Sequence, residues 1–154
     1  MRYFWMFLLL VALGNLSWAQ SGETLKLAEL RKDKIEVLAS PEQLKKVSTT
    51  MISSIAAPKD YKITYLDADR KIYYLFGNAL RDGKEVTFAI ALEEKGGELW
   101  FERINKSWFV CKNSGCTSCE FTTAIDGTIR RCACPDEGAD LNACRVITGI
   151  KTNE

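Results

Sequence analysis

Every cysteine in this chain lies in one stretch, spaced Cys111-x4-Cys116-x2-Cys119-x12-Cys132-x-Cys134-x9-Cys144. That stretch is poor in the means of folding by burial. After Cys111 the larger apolar side chains are Phe121, Ile125, Ile129, Leu141, Val146, Ile147 and Ile150, set among Gly, Ser, Thr, Asp and Asn. Such a segment needs cross-links, a metal or a surface to dock on. An even number of cysteines in an exported chain reads as a disulfide framework. Three bridges are therefore expected among Cys111, Cys116, Cys119, Cys132, Cys134 and Cys144. A direct Cys132–Cys134 bridge is disfavoured, because alternate residues of a strand point the same way at a strained distance. Each of the two should reach a different partner, with Cys144 taking one of them.

Export is read from residues 1–19. Arg2 supplies a positive start, Phe4 to Leu13 is an unbroken apolar run, and Ser17-Trp18-Ala19 places small residues before a cut at Gln20. The run is shorter than the roughly 20 residues a membrane helix needs. Its removal takes away Arg2, one of 21 basic residues, and leaves the basic side chains equal in number to the 20 acidic ones. A neutral chain lacks the concentrated positive field that nucleic acid or an anionic membrane requires. The expected location is secreted or periplasmic, with no membrane span once the leader is cut.

The middle of the chain is read by periodicity. Leu27 and Leu30 have helical spacing, and Ile35, Val37 and Ala39 alternate, which predicts a short helix and then a strand at about 34–39. Ser40-Pro41-Glu42-Gln43 is a capping box, with Pro at the first helical position. Leu44, Val47, Met51 and Ile55 then share one face, predicting an amphipathic helix of about four turns running down to Pro58. Strands are expected at 61–67, 71–80, 85–93, 98–104 and 107–111. Asp82-Gly83, Gly96-Gly97 and Asn105-Lys106 serve as their tight turns. Those turns place Phe88 across from Gly77, Leu92 across from Phe101, and Arg103 across from Trp108. One face then collects Val86, Phe88, Ile90, Leu92, Leu99, Phe101, Trp108 and Val110. The other face of the last hairpin carries Trp100, Glu102, Ile104 and Phe109, more apolar than free surface requires. It is a candidate binding face, or a face covered by the cysteine-rich segment.

The expected fold class is α+β. One amphipathic helix packs on an antiparallel meander of four to five strands, with a cystine-rich C-terminal cap. The division is 1–19 signal peptide, 20–110 α+β domain, and 111–154 cysteine-rich segment docked on that domain. This order is similar to that of cystatin-like exported domains, and the similarity implies topology alone.

No histidine occurs, so histidine-based nucleophile pairs, general bases and metal sites are excluded. No catalytic set and no cofactor is called for by the remaining residues. Cys116-Thr117-Ser118-Cys119 has the spacing of dithiol redox sites but lies in a loop-rich segment. Cys111 to Cys119 resembles, over nine residues, the loop carrying the first three ligands of plant-type two-iron ferredoxins. The fourth ligand of that family follows at a longer interval than Cys132, Cys134 or Cys144 gives. A zinc site of Cys111, Cys116, Cys119 and Cys132 is the metal alternative. The function these residues indicate is binding or structural, with an unknown protein or small ligand. A small redox or metal-binding protein using the cysteines is the alternative. The leader reading makes one direct prediction. Mass spectrometry of exported material should find a chain beginning at Gln20; retained Met1 would restore an uncleaved anchor.

Overall fold

In chain order the secondary structure is β1 (Thr24–Arg31), β2 (Lys34–Val37), α1 (Pro41–Met51), β3 (Ala56–Tyr65), β4 (Tyr73–Arg81), β5 (Lys84–Ala91), β6 (Glu93–Lys95), β7 (Glu98–Glu102), β8 (Ser107–Asn113), β9 (Glu120–Thr123), β10 (Ile129–Ala133) and β11 (Cys144–Ile150). It comes from a computed structural model that describes residues 24–32, 34–67, 69–104, 106–116, 118–135 and 143–150. The predicted leader and its cut lie outside these residues.

Two turns set the register of the central strands. Asp82 and Gly83 both have positive φ, and they close β4 on β5 with Arg81 opposite Lys84. Phe88 therefore stands opposite Gly77, as expected. Its ring fills the space a side chain there would need: a Cβ on Gly77 would lie 2.5 Å from the ring tip. Gly96 and Gly97, also at positive φ, close β6 on β7 with Glu93 opposite Trp100. That is the expected register, but the strand leading into it is divided. Leu92 is a buried corner whose amide donates to the Tyr73 carbonyl at 2.9 Å, and the chain passes there from one sheet to another.

The corner overturns the expected single meander. A five-stranded sheet has the order β11-β8-β5-β4-β3, and a four-stranded sheet the order β2-β1-β7-β6. β7 pairs with β6 and is carried away from β5, which leaves the edge of β5 to β8. The expected hairpin of 98–104 with 107–111 is thus replaced, and Arg103 does not face Trp108 across a ladder. Trp108 instead stands opposite Ile90 and Gly149, its ring lying where a Gly149 side chain would be. The predicted apolar face survives the change of partner. Phe88 pairs with Val110 and Ile90 with Trp108, so the parity of β8 is the same in either arrangement.

β1 corrects a second expectation. The predicted helix around Leu27 and Leu30 is a strand between β2 and β7. Its ladder to β7 slips between Lys26 and Ala28, which makes Leu27 a bulge. The bulge shifts the side-chain parity, so the core-side residues are Leu25, Leu27, Ala28 and Leu30. That spacing imitates a helix.

α1 begins as the capping box dictates. Ser40 Oγ accepts from the Gln43 amide at 3.3 Å, and Gln43 Oε1 accepts from the Ser40 amide at 2.8 Å. The helix is shorter than expected. It ends at Met51, and Ile52 and Ile55 are buried from the connection into β3. Ser48 is fully buried on its inner face and satisfied, its hydroxyl donating to the Leu44 carbonyl at 2.9 Å. One core joins Leu44, Val47 and Met51 of α1 to Leu99 and Phe101 of the smaller sheet and Leu75, Phe88 and Val110 of the larger. The protein is therefore mostly antiparallel sheet with one short helix among the described residues, and no helix among those residues is long and apolar enough to cross a membrane.

The ring over Gly77 yields a test. Gly77→Ala should cost about 1 to 3 kcal/mol in urea denaturation, because Phe88 is fully buried and has nowhere to move. In a Phe88→Leu background the same change should cost much less. Equal costs in both backgrounds would rule out the clash.

Candidate functional site

The larger sheet has a second apolar face, turned away from the core. Register places Tyr74 and Phe76 of β4, Ala89 of β5, Phe109 and Cys111 of β8, and Val146 of β11 on it. The β9–β10 hairpin lies over this face, burying Ile129 with Tyr74 and Ala89 against Phe76, Phe109 and Phe121. Tyr74 meets Phe109 edge to face with ring centres 6.2 Å apart, and Phe76 lies 5.9 Å from Phe121. The Tyr74 hydroxyl accepts from the buried Ile129 amide at 3.3 Å. Desolvation pushes the Tyr74 phenol above its ordinary pKa, so it stays neutral as a partner for that amide.

The turn of the cap hairpin is held from the other side. Asp126 accepts from the Thr128 amide at 3.0 Å, and the Thr128 hydroxyl also bonds it and lowers its pKa. Gly127 has positive φ and packs on Arg70, so close that an added Cβ would lie 2.6 Å from the Arg70 Cβ.

All six cysteines are bridged, as Cys111–Cys132, Cys116–Cys134 and Cys119–Cys144. Cys132 and Cys134 do take different partners. Cys144 takes Cys119, where Cys132 or Cys134 was expected. The Cys111–Cys132 bridge is buried at both ends and ties β10 to β8. The other two gather at the end of the cap. Asn113 arranges them: its side-chain oxygen accepts from the amides of Gly115 and Cys116, and its amide donates to the Cys116 carbonyl at 2.6 Å. The Ser114 amide donates to the Ala143 carbonyl at 2.7 Å, bringing this loop against β11. Cys116 Sγ then lies 3.4 Å from Cys144 Sγ, a sulfur-on-sulfur contact between two bridges. Three disulfides fit an oxidising environment and a cross-linked small protein.

The expected metal set is not the one that converges. Cys111 and Cys132 are bonded to each other beneath the hairpin, whereas the sulfurs of Cys116, Cys134 and Cys144 all lie within 4.8 Å of one another. Cys144 enters that group through the pairing of β11 with β8, and Cys134 through its bridge to Cys116, neither of which local spacing announces.

The candidate binding face is also divided. Phe109 lies on the larger sheet beneath the cap, while Trp100 and Glu102 lie on the smaller sheet and Ile104 in the connection after it. Trp100 is half-buried and donates its indole N–H to Glu98 at 3.2 Å, among surface ion pairs. Glu102 pairs with Lys95, and Lys106 holds the Glu93 carboxyl below its usual range.

Beside Phe109 the cap leaves a groove of about 530 Å³. Its apolar walls are Ile72, Tyr74, Ala91, Phe109, Ile129 and Ile150, and Ser107, Thr128 and Thr148 are its hydroxyl-bearing lining residues. Sequence reasoning found only Phe109 of these. A smaller, more polar groove of about 200 Å³ includes Asn78, Thr87, Ser118, Cys111 and Cys119.

No protein-family model, curated protein or solved structure matches the chain.

The bridges are checked by alkylating denatured protein made by its native export route. Six labels should appear only after reduction. Replacing Cys111 and Cys132 together by alanine should cost about 3 kcal/mol in the chain-entropy account of cross-links. An unchanged denaturation midpoint would show that the aromatic contacts hold the cap without the bridge.

Proposed function

We propose that this is an exported binding protein that holds a small apolar ligand between its larger sheet and its disulfide-linked cap. The observation that carries this reading is the groove of about 530 Å³ beside Phe109. Its volume falls within the roughly 300 to 1,000 Å³ of small-molecule sites, and its mixture of apolar walls with a few hydroxyls is the usual lining of such sites. The neutral mature chain and the lack of histidine favour binding over catalysis. The apolar leader and the bridges together support a secreted or periplasmic location, with residues 111–154 acting as a segment docked on an α+β domain of residues 20–110. The cystatin-like order belongs to this reading only as a proposed likeness of topology, a helix followed by antiparallel strands.

The face of Trp100, Glu102 and Ile104 is a separate candidate contact surface for a protein partner. The alternative redox or metal-binding reading draws on the closeness of Cys116, Cys134 and Cys144. An absorption spectrum with metal analysis of native-route protein separates it from the binding reading.

The groove is tested with an environment-sensitive naphthalene sulfonate dye on the folded, oxidised chain. The dye should brighten with a single saturable site. Thr148 is exposed on β11, so Thr148→Trp can fill the groove without disturbing the core. It should weaken dye binding about tenfold or more, which is about 1.4 kcal/mol. Undiminished binding by a folded Thr148→Trp variant would remove the groove as the site.

A further inference from the structure

We propose that Cys116–Cys134 and Cys119–Cys144 form one thiol–disulfide exchange unit, which a dithiol reductant converts to a single Cys116–Cys144 bridge with reduced thiols at Cys119 and Cys134. The inference goes beyond ligand binding and does not depend on the groove beside Phe109. It rests on the arrangement of the four sulfurs. Cys116 and Cys144 belong to different bridges, yet their sulfurs touch at 3.4 Å. On that contact they form the inner pair and Cys119 and Cys134 the outer sulfurs, with the Cys134 sulfur also within 4.8 Å of Cys144. Cys119 also lines the polar groove of about 200 Å³, which gives a reductant a way in. Cys111 borders the same groove, but the Cys111–Cys132 bridge is buried at both ends and its sulfurs are not among those that gather around Cys144.

The steps balance. A thiolate of the dithiol attacks an outer sulfur, Cys119 or Cys134, and forms a mixed disulfide with it. The electron pair of the broken bond goes to the inner partner, Cys144 or Cys116. That inner thiolate attacks the other inner sulfur beside it. The Cys116–Cys144 bond forms, and the second outer sulfur leaves as a thiolate that takes a proton from water. The second thiol of the reductant then attacks the reductant's own sulfur in the mixed disulfide. It closes a cyclic disulfide, and the first outer sulfur is released as a thiol. One dithiol has lost two electrons, and the protein has one bridge fewer. Entry at either outer sulfur leads to the same product, because the inner pair is shared.

The new bridge would still join the Asn113–Cys116 loop to β11, and Cys111–Cys132 would still hold β10 on β8. The cap would therefore stay attached while the segments around Cys119 and Cys134 are released from their links. The device changes the tethering of the cap without discarding it.

The test treats the oxidised full-length chain with limiting dithiothreitol at mildly alkaline pH, where thiolates exchange. Acid quenching, alkylation and peptide mass mapping then locate the labels. The species carrying two labels should bear them on Cys119 and Cys134 and contain a Cys116–Cys144 linked peptide. Labels on both members of one native bridge, with the other bridge intact, would overturn the proposal. A Cys119→Ser/Cys134→Ser variant provides a second reading. It should fold with Cys116 and Cys144 bonded and accept no label. Two labels on Cys116 and Cys144 in the folded variant would equally overturn it, and if the variant fails to fold, the mapping on the unmodified chain decides.

Discussion

The larger sheet has two apolar faces, and only one of them can be covered by the core. Tyr74, Phe76, Ala89 and Phe109 stand on the other. Aromatic rings of that size carry a large share of any burial energy, so leaving them to water would destabilise the sheet. The chain meets this constraint with a segment too poor in apolar residues to fold alone. Phe121 and Ile129 supply its contribution to the shared cluster, and disulfides hold the rest in place. Sheet and cap are therefore mutually dependent: the sheet needs a cover, and the cover needs a surface and cross-links.

The incompleteness of that cover produces the site. The hairpin is short, and its turn is anchored on Arg70 by the close packing of Gly127. Ile129 reaches Tyr74, and Ile72 and Ala91 pack against the same cluster, but Ile150 of β11 stays exposed, and the groove opens beside it. Burial at the other end is completed by sulfur. Five of the six cysteines follow one another closely in the cap and its approach, and β11 returns Cys144 to join them. A compact segment with so many bridges brings sulfurs of separate bridges into contact, as Cys116 and Cys144 show.

The corner at Leu92 has consequences of equal reach for the core. A strand that passes from one sheet to another gives each half its own neighbours, so β5 takes β8 while β6 takes β7. The two sheets and α1 then enclose a single core, with Leu99 and Phe101 brought to Phe88 and Val110. The Trp100 side of β7 is turned outward among ion pairs. Such exposed pairs contribute little to stability, which leaves that face open to other uses.

What the sequence determined by itself was local. The capping box, the two glycine-containing turns and the alternation of apolar residues each act within a few positions, and they set the start of α1, two hairpin registers and the inward face of β5 through β8. Phe88 over Gly77 follows from the Asp82-Gly83 turn alone. The even set of cysteines likewise indicated bridges without indicating their partners. What the tertiary structure decided was long-range. The bulge at Leu27 gave a strand the spacing of a helix, because one extra residue reverses side-chain parity. Leu92 sent β7 and β8 to different sheets, since a bend depends on which edges are free rather than on the turn between them. Cys144 met Cys119 because β11 pairs with β8, and the groove exists because that sheet is wider than the hairpin lying on it. Strand partners, sulfur partners and cavities all join residues far apart in the chain, and only the packed structure chooses among them.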